Sequence, residues 1–172
     1  MNNIKLTELH LEDSKTLLKW INTRSLVINN NSYKPIHEYD HNDWFTRVTS
    51  DSNVRIFGIR MYDNEKNLLI GTCQLYNIDI ISRSAELAIR IGEEIFQGKG
   101  YGYQAITSLI NFGFNDLNLN RIYLQVFNTN QNAIKLYTNI GFQNEGILRQ
   151  SIFIDGCYRD IHIMALLKGE YI

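Results

Sequence analysis

Proline is almost missing from this sequence: Pro35 stands alone, so no proline-rich linker divides the chain. Cysteine is nearly as scarce. Cys73 and Cys157 form no Cys-x-x-Cys pair and have no neighbouring histidine, so neither a zinc site nor a disulfide framework is indicated. No apolar run approaches the eighteen or so residues that a membrane span needs. The segment Met1-Asn2-Asn3-Ile4-Lys5 lacks the apolar stretch of a signal peptide. Excess charge is lacking as well. A formal net charge of −1 argues against a general nucleic-acid binder, which shows a basic stripe. There is no internal repeat. These absences leave a soluble, reduced, cytoplasmic protein as the expectation. The 172 residues are expected to form one domain, 1–172, able to bury a core.

What is present centres on Ser84 to Gly102. Ala85, Leu87, Ile89 and Ile91 alternate with Glu86, Ala88 and Arg90, which is the period of a strand. Gln97-Gly98-Lys99-Gly100-Tyr101-Gly102 then places glycine at every second position, just before a long helical pattern. Glycine there permits positive φ and a close approach of backbone to a ligand. A loop of this kind opening a helix aims free N–H groups and the positive end of the helix dipole at an anion such as a pyrophosphate.

Three nucleotide loops compete for the segment. A Walker loop needs a Gly-Lys-Ser/Thr ending, which Gly98-Lys99-Gly100 does not supply. A dinucleotide fingerprint needs a third glycine where Tyr103 stands, and an acidic residue where Asn128 stands. The third pattern, Gln/Arg-x-x-Gly-x-Gly/Ala, is met by Gln97, Gly100 and Gly102. It resembles the acyl-CoA loop of the Gcn5-related N-acetyltransferases (GNAT). About thirty residues on, Asn130-Gln131-Asn132-Ala133-Ile134-Lys135-Leu136-Tyr137 followed by Gly141-Phe142 is similar to that family's second signature. The likeness is strong from about Leu69 to Leu167 and weaker before that, and it lies closest to the ribosomal-protein, polyamine and amino-sugar branch.

Along the chain, Ile4–Leu9 reads as a strand. His10–Asp13 enters a helix whose apolar stripe is Leu17, Leu18 and Ile21, flanked by Leu11 and Trp20. Thr23–Asp40 has no clear period; 29–32 is turn material, and Pro35 opposes helix. A short helix is expected over His41–Val48 with Trp44, Phe45 and Val48 inward. Val54–Tyr62 and Leu68–Asn77 form a hairpin across the polar turn at 63–67. Helices follow over Tyr101–Leu117 and Asn130–Ile140, the second ended by Gly141. Gln143–Phe153 and Cys157–Leu167 are strands joined by Asp155-Gly156, a strong hairpin signal. Periodicity gives only mixed α and β. The resemblance implies an α/β fold of the α+β type: a mostly antiparallel central sheet, flanked by helices, whose fourth and fifth strands splay apart.

The resemblance further implies acetyl-CoA as cosubstrate, with no metal. Its amide-rich arm would pair with the edge of the strand at Ile89, Arg90 and Ile91, as an added strand does. Its pyrophosphate would sit on Gln97, Gly98, Lys99, Gly100, Tyr101 and Gly102, with Asn128 and Asn130 beside the arm. Tyr137 would stand near the thioester sulfur, binding it and acting as general acid to the departing thiolate. A free phenol (pKa about 10) is a weaker acid than a thiol (about 8.5), so unaided transfer is uphill by roughly 2 kcal/mol. Tyr137 therefore needs help from the site or acts as a hydrogen-bond donor. Glu86 occupies the polar face where relatives carry a catalytic glutamate; a solvent-facing residue, or an ion pair with Arg83 or Arg90, is the competing reading. A β-bulge in Leu87–Ile91 would supply an oxyanion donor. His37 and His41 border the implied acceptor site.

The implied reaction is direct transfer of an acetyl group to a primary amine. The acceptor is an amino-sugar nucleotide, a polyamine or a protein N-terminus. Trp20, Arg24, His41 and Trp44 are the candidate acceptor contacts, with core packing or solvation as the alternative. The C-terminal run Met164 to Tyr171 is similar to that of spermidine acetyltransferases. A non-catalytic acyl-CoA-binding or regulatory module on the same scaffold is the alternative function. Exposed strand edges near the C-terminus are compatible with a homodimer, and no nucleic-acid or membrane partner is expected.

Overall fold

A computed structural model describes residues 4–29, 31–63 and 66–171. The turn expected at 29–32 and the one at 63–67 lie partly outside these residues, as does the start of the N-terminal segment. Seven strands form a single sheet: β1 (Ile4–Thr7), β2 (Arg55–Asp63), β3 (Lys66–Asp79), β4 (Ser84–Ile91), β5 (Arg121–Phe127), β6 (Gln143–Ile154) and β7 (Cys157–Leu167). Their spatial order is β1-β2-β3-β4-β5-β7-β6, and only β4 and β5 run parallel. Between β1 and β2 lie α1 (Asp13–Ile21), α2 (Arg24–Val27) and α3 (Glu38–Ser50); α4 (Tyr101–Asn111) and α5 (Gln131–Ile140) flank β5. The mostly antiparallel sheet that the family resemblance implied is therefore present.

Pleating sorts the central strands. Cys73 and Leu75 on β3, Ala85 and Leu87 on β4, and Ile122, Leu124 and Val126 on β5 face α4 and build the main core. From α4 come Ala105, Ile106, Leu109 and Ile110, all fully buried at helical spacing. Each such aliphatic side chain contributes roughly 2 kcal/mol through burial. A smaller cluster, Leu17, Trp20, Phe45 and Leu69, fixes α1 and α3 at the opposite side. There the buried carboxylate of Asp13 accepts from the Arg60 guanidinium and from the His10 N–H.

Several boundaries depart from the sequence reading. α2 is a single turn inside the stretch read as aperiodic, too short to show any period. The inward stripe of α3 is His41, Phe45 and Val48, at i, i+4 and i+7; Trp44 lies off it and is 36% exposed. Leu11 is 83% exposed because it precedes α1, whereas Trp20 is fully buried. The helix expected through Leu117 is α-helical only to Asn111 and continues as a π turn over Phe112–Asp116. Asp155 and Gly156 both adopt positive φ, as the tight hairpin between β6 and β7 requires. Among the described residues no helix is long and apolar enough to cross a membrane.

Candidate active site

The β4–β5 ladder is short. Ser84, Ala85 and Glu86 pair with Arg121, Ile122 and Tyr123, and there the pairing ends. β4 continues to Ile91 and β5 to Phe127, but each then pairs only with its antiparallel neighbour, β3 or β7. A wedge-shaped gap opens between them. In an antiparallel ladder only alternate residues bond to a given neighbour. Half of the main-chain groups from Leu87 to Ile91 therefore face the gap. The register of β3 against β4 is regular from Gly71–Ile91 to Tyr76–Glu86 and shifts only between Tyr76 and Asp79. The bulge that an oxyanion donor within Leu87–Ile91 would need is absent, because β3 holds that segment in unbroken pairing.

At the wide end of the gap sits the glycine loop. Gly98 and Gly100 adopt φ of +70° and +83°, and a Cβ on either would meet nothing within 4 Å. Conformation, not crowding, demands glycine there. Gly100 caps α4, whose first internal bond runs from the Gln104 N–H to the Gly100 carbonyl. Among the described residues the N–H groups from Gly98 to Tyr103 donate to no acceptor. Lys99 is exposed. Gln97 reaches back to the Ile91 carbonyl at 3.4 Å. The Tyr101 phenol is turned away to the Met61 sulfur, leaving its backbone N–H on the loop. A row of free amides at a helix N-terminus, beside an open strand edge and without side-chain obstruction, fits a pyrophosphate joined to an amide-bearing arm.

Along the gap, Asn128 closes β5. Its buried Oδ1 has no hydrogen-bond donor among the described residues. Asn130 caps α5, its Oδ1 accepting from the Ala133 N–H at 3.2 Å. Two turns on, Tyr137 is 7% exposed and packs edge-on against Phe142. Burial pushes its phenol up to about 12, so it stays protonated at neutral pH. The site thus makes Tyr137 a weaker acid than a free phenol, opposite to the help that general-acid catalysis needs.

Glu86 is 6% exposed, not solvent-facing, and forms an ion pair with neither Arg83 nor Arg90. Arg83 is held by the carbonyl and side chain of Asn118. The Glu86 carboxylate instead accepts from Asn77 Nδ2 and Gln125 Nε2, each at 3.3 Å. Tyr76, opposite it on β3, and Tyr123, its partner on β5, complete the ring. Burial, and then the adjacent Glu86 charge, push both phenols up.

On the face away from α4, a cavity of about 600 Å³ lies under α1 and α3. Thr72, Gln74 and Tyr76 of β3 with Ala88 and Arg90 of β4 form its floor; Trp20, Asp40, His41 and Trp44 form its walls. Trp20 is a fixed wall. Its ring lies on Gly92, where a Cβ would come within 2.0 Å, and its indole N–H donates to Glu93 at 3.1 Å. Lys19 bonds the same carboxylate, and these two donors draw the Glu93 carboxyl down. His41 is buried, its Nε2 2.9 Å from the Ser14 carbonyl, and its ring lies 5.2 Å from that of Trp44. Arg24 does not line the cavity: it pairs with Asp155 and lies over the Tyr33 ring. His37 is exposed outside it. Among the described residues no cluster of three or more His, Cys, Asp or Glu can hold a metal.

A family profile described as "Acetyltransferase (GNAT) domain" matches residues 3–143. The chain belongs to the GNAT acetyltransferase family. It is 37% identical to the spermidine N(1)-acetyltransferase of Vibrio cholerae over 140 residues, covering 81% of this chain and 79% of the relative. It is 31% identical to a putative ribosomal N-acetyltransferase of Bacillus subtilis, covering 97% and 86%. The crystal structure of the V. cholerae spermidine N-acetyltransferase with CoA and spermine superposes with a TM-score of 0.90 at 30% identity, covering 98% of this chain and 97% of that one. This protein is an acetyl-CoA-dependent acyltransferase of GNAT architecture. The ring of polar groups around Glu86 and the cavity-facing Arg90 escaped the sequence reading. Their signal was the polar alternation Thr72, Gln74, Tyr76 on β3, which needs the β3–β4 register to acquire meaning.

Proposed function

We propose that this GNAT enzyme acetylates the primary amine of a small molecule seated in the cavity beneath α1 and α3. The observation that carries the reading is the position of Glu86. It is the last paired residue of β4 before the gap, and its partner Tyr76 lines the cavity. Acyl arm and amine would thus approach the same point from opposite faces of the sheet.

The residues divide the work as follows. The amides of Gly98 to Gly102 hold the pyrophosphate, with Lys99 adding charge at the loop's exposed rim. Main-chain groups of Ile89, Arg90 and Ile91 align the pantetheine amides, and Asn128 Oδ1 accepts from one of them. Asn130 fixes the start of α5 and so the placement of Tyr137. Only about one lysine-like amine in two or three thousand is neutral at pH 7. Glu86, directly or through Tyr76 and water, takes the proton the amine must lose. The amine nitrogen then bonds to the acetyl carbon as the carbon–sulfur bond breaks. Tyr137 donates a hydrogen bond to the sulfur; solvent supplies the proton that a phenol at about 12 does not readily release.

Names among the relatives make spermidine one acceptor class to test. A second class, amino sugars linked to nucleotides, is favoured here by the Trp44 ring at the cavity wall and by the cation of Arg90 on its floor. Thiol release from acetyl-CoA with spermidine, nucleotide-linked amino sugars and peptides bearing free N-termini tests the reading. Acceptor-dependent thiol is expected. Tight acetyl-CoA binding without thiol from any amine would overturn it.

A further inference from the structure

Among the described residues, the Arg90 guanidinium that lines the cavity forms no ion pair. Arg90 stands opposite Thr72 in the ladder, which points both side chains into the cavity. Among the described residues no carboxylate lies within ion-pair distance of its guanidinium, whereas Arg24, Arg60 and Arg121 each pair with one. The Arg90 Nε is fully enclosed and has no acceptor. Burial draws its affinity for the proton down. Two acids, Glu86 and Asp40, lie on the same side of the sheet, and neither pairs with Arg90. Glu86 lies four residues away on the same face, roughly 13 Å along the strand, and is bonded to Asn77 and Gln125. Asp40 is on the helical wall and makes no ion pair with it. A guanidinium presents five donors in a planar fork that suits carboxylate and phosphate, and leaving it desolvated and unpaired is costly.

We propose that Arg90 selects the acceptor by binding an oxyanion, carboxylate or phosphate, carried by the amine substrate roughly 10 Å from the nitrogen that reacts near Glu86. This rests on the acetyl-transfer reading above and sharpens it. The spacing excludes α-amino acids, whose two charges are adjacent. A bare polyamine would bring further positive charge against Arg90, whereas an amino sugar bearing a phosphate linkage, or a long ω-amino acid, places opposite charges at both ends of the cavity. Loop amides already serve the CoA pyrophosphate, so the guanidinium is left for the other substrate.

Two measurements decide it. In the first, thiol release is followed with a nucleotide-linked amino sugar, the same amino sugar without phosphate, a long ω-amino acid and spermidine. The best anionic amine should exceed its uncharged counterpart in kcat/KM by about thirtyfold. Arg90→Gln should erase most of that advantage through the acceptor KM, with the acetyl-CoA KM unchanged, and Arg90→Lys should restore part of it. Spermidine outperforming every anionic amine, and unharmed by Arg90→Gln, would overturn the proposal while leaving acetyl transfer intact. In the second, calorimetry measures binding of the nucleotide-linked amino sugar and the ω-amino acid to the CoA-loaded protein. Loss of about tenfold in affinity in Arg90→Gln supports the proposal even where no thiol is released, and equal affinity in both proteins overturns it.

Discussion

Gln125 on β5 donates to Glu86 on β4 at 3.3 Å across the point where the two strands part. The contact ties the catalytic carboxylate proposed here to both walls of the gap. Asn77, on a residue of positive φ at the end of β3, holds its other oxygen.

Replacing Glu86 with Gln keeps the shape and removes the proton acceptor. Turnover at pH 7 should fall by about a hundredfold. Acetyl-CoA affinity, measured by calorimetry, should change little. The deficit should shrink as pH rises toward the amine's own pKa, because solvent then supplies the free base. A deficit equal at pH 7 and pH 9.5 would mean that Glu86 serves architecture only.

Tyr137→Phe tests the hydrogen bond to sulfur. At least a tenfold loss of turnover is expected with acetyl-CoA binding preserved. Because burial lifts the phenol to about 12, the wild-type rate should show no loss assignable to Tyr137 between pH 7 and 10. Unchanged turnover in the variant would remove Tyr137 from the mechanism.

The same lifted phenol predicts alkaline sensitivity. A raised folded-state pKa gives stability that is complete below the unfolded value near 10 and lost as pH climbs through the folded value near 12. Two units correspond to roughly 3 kcal/mol for Tyr137, and Tyr76 acts in the same direction. Denaturant midpoints should therefore hold to about pH 10 and fall steeply above it. Ultraviolet titration should show the Tyr137 phenolate emerging only in that window.

Gly92→Ala addresses the cavity wall. The added Cβ would come within 2.0 Å of the Trp20 ring, which is itself fully buried and pinned by Glu93. Overpacking of this kind costs about 3 kcal/mol. Thermal unfolding should register a marked drop, and Trp20→Leu in the same chain should recover part of it.

Gly100→Ala separates strain from crowding at the glycine loop. Open space surrounds the position, so the cost is the left-handed backbone alone, about 1 kcal/mol. Acetyl-CoA affinity should weaken by about tenfold as the loop relaxes and its amides turn. Equal affinity in a direct binding assay would show that these amides do not carry the phosphate.

How much was legible beforehand depends on the range of the signal. The alternation from Ala85 to Ile91, the glycines from Gly98 to Gly102, Asp155-Gly156 and the helix around Tyr137 are local patterns, and each element formed where they lie. They share a cause: backbone sterics and side-chain periodicity act within a few residues, so the sequence carries them openly. The order and splay of β4 and β5 were implied by family likeness rather than by any period.

Other features depended on contacts between residues far apart in the chain. Glu86 reads as a surface residue until β3 and β5 place Asn77, Tyr76 and Gln125 around it. Arg90 reads as an ordinary strand arginine until α1 and α3 roof the cavity it faces. Arg24 looked available to a substrate until the β6–β7 hairpin supplied Asp155. Sequence alone determined where most of the strands and helices lie and where the glycine loop opens α4. Tertiary structure decided which charges are buried and which are paired, because desolvation and pairing depend on neighbours brought together only by folding.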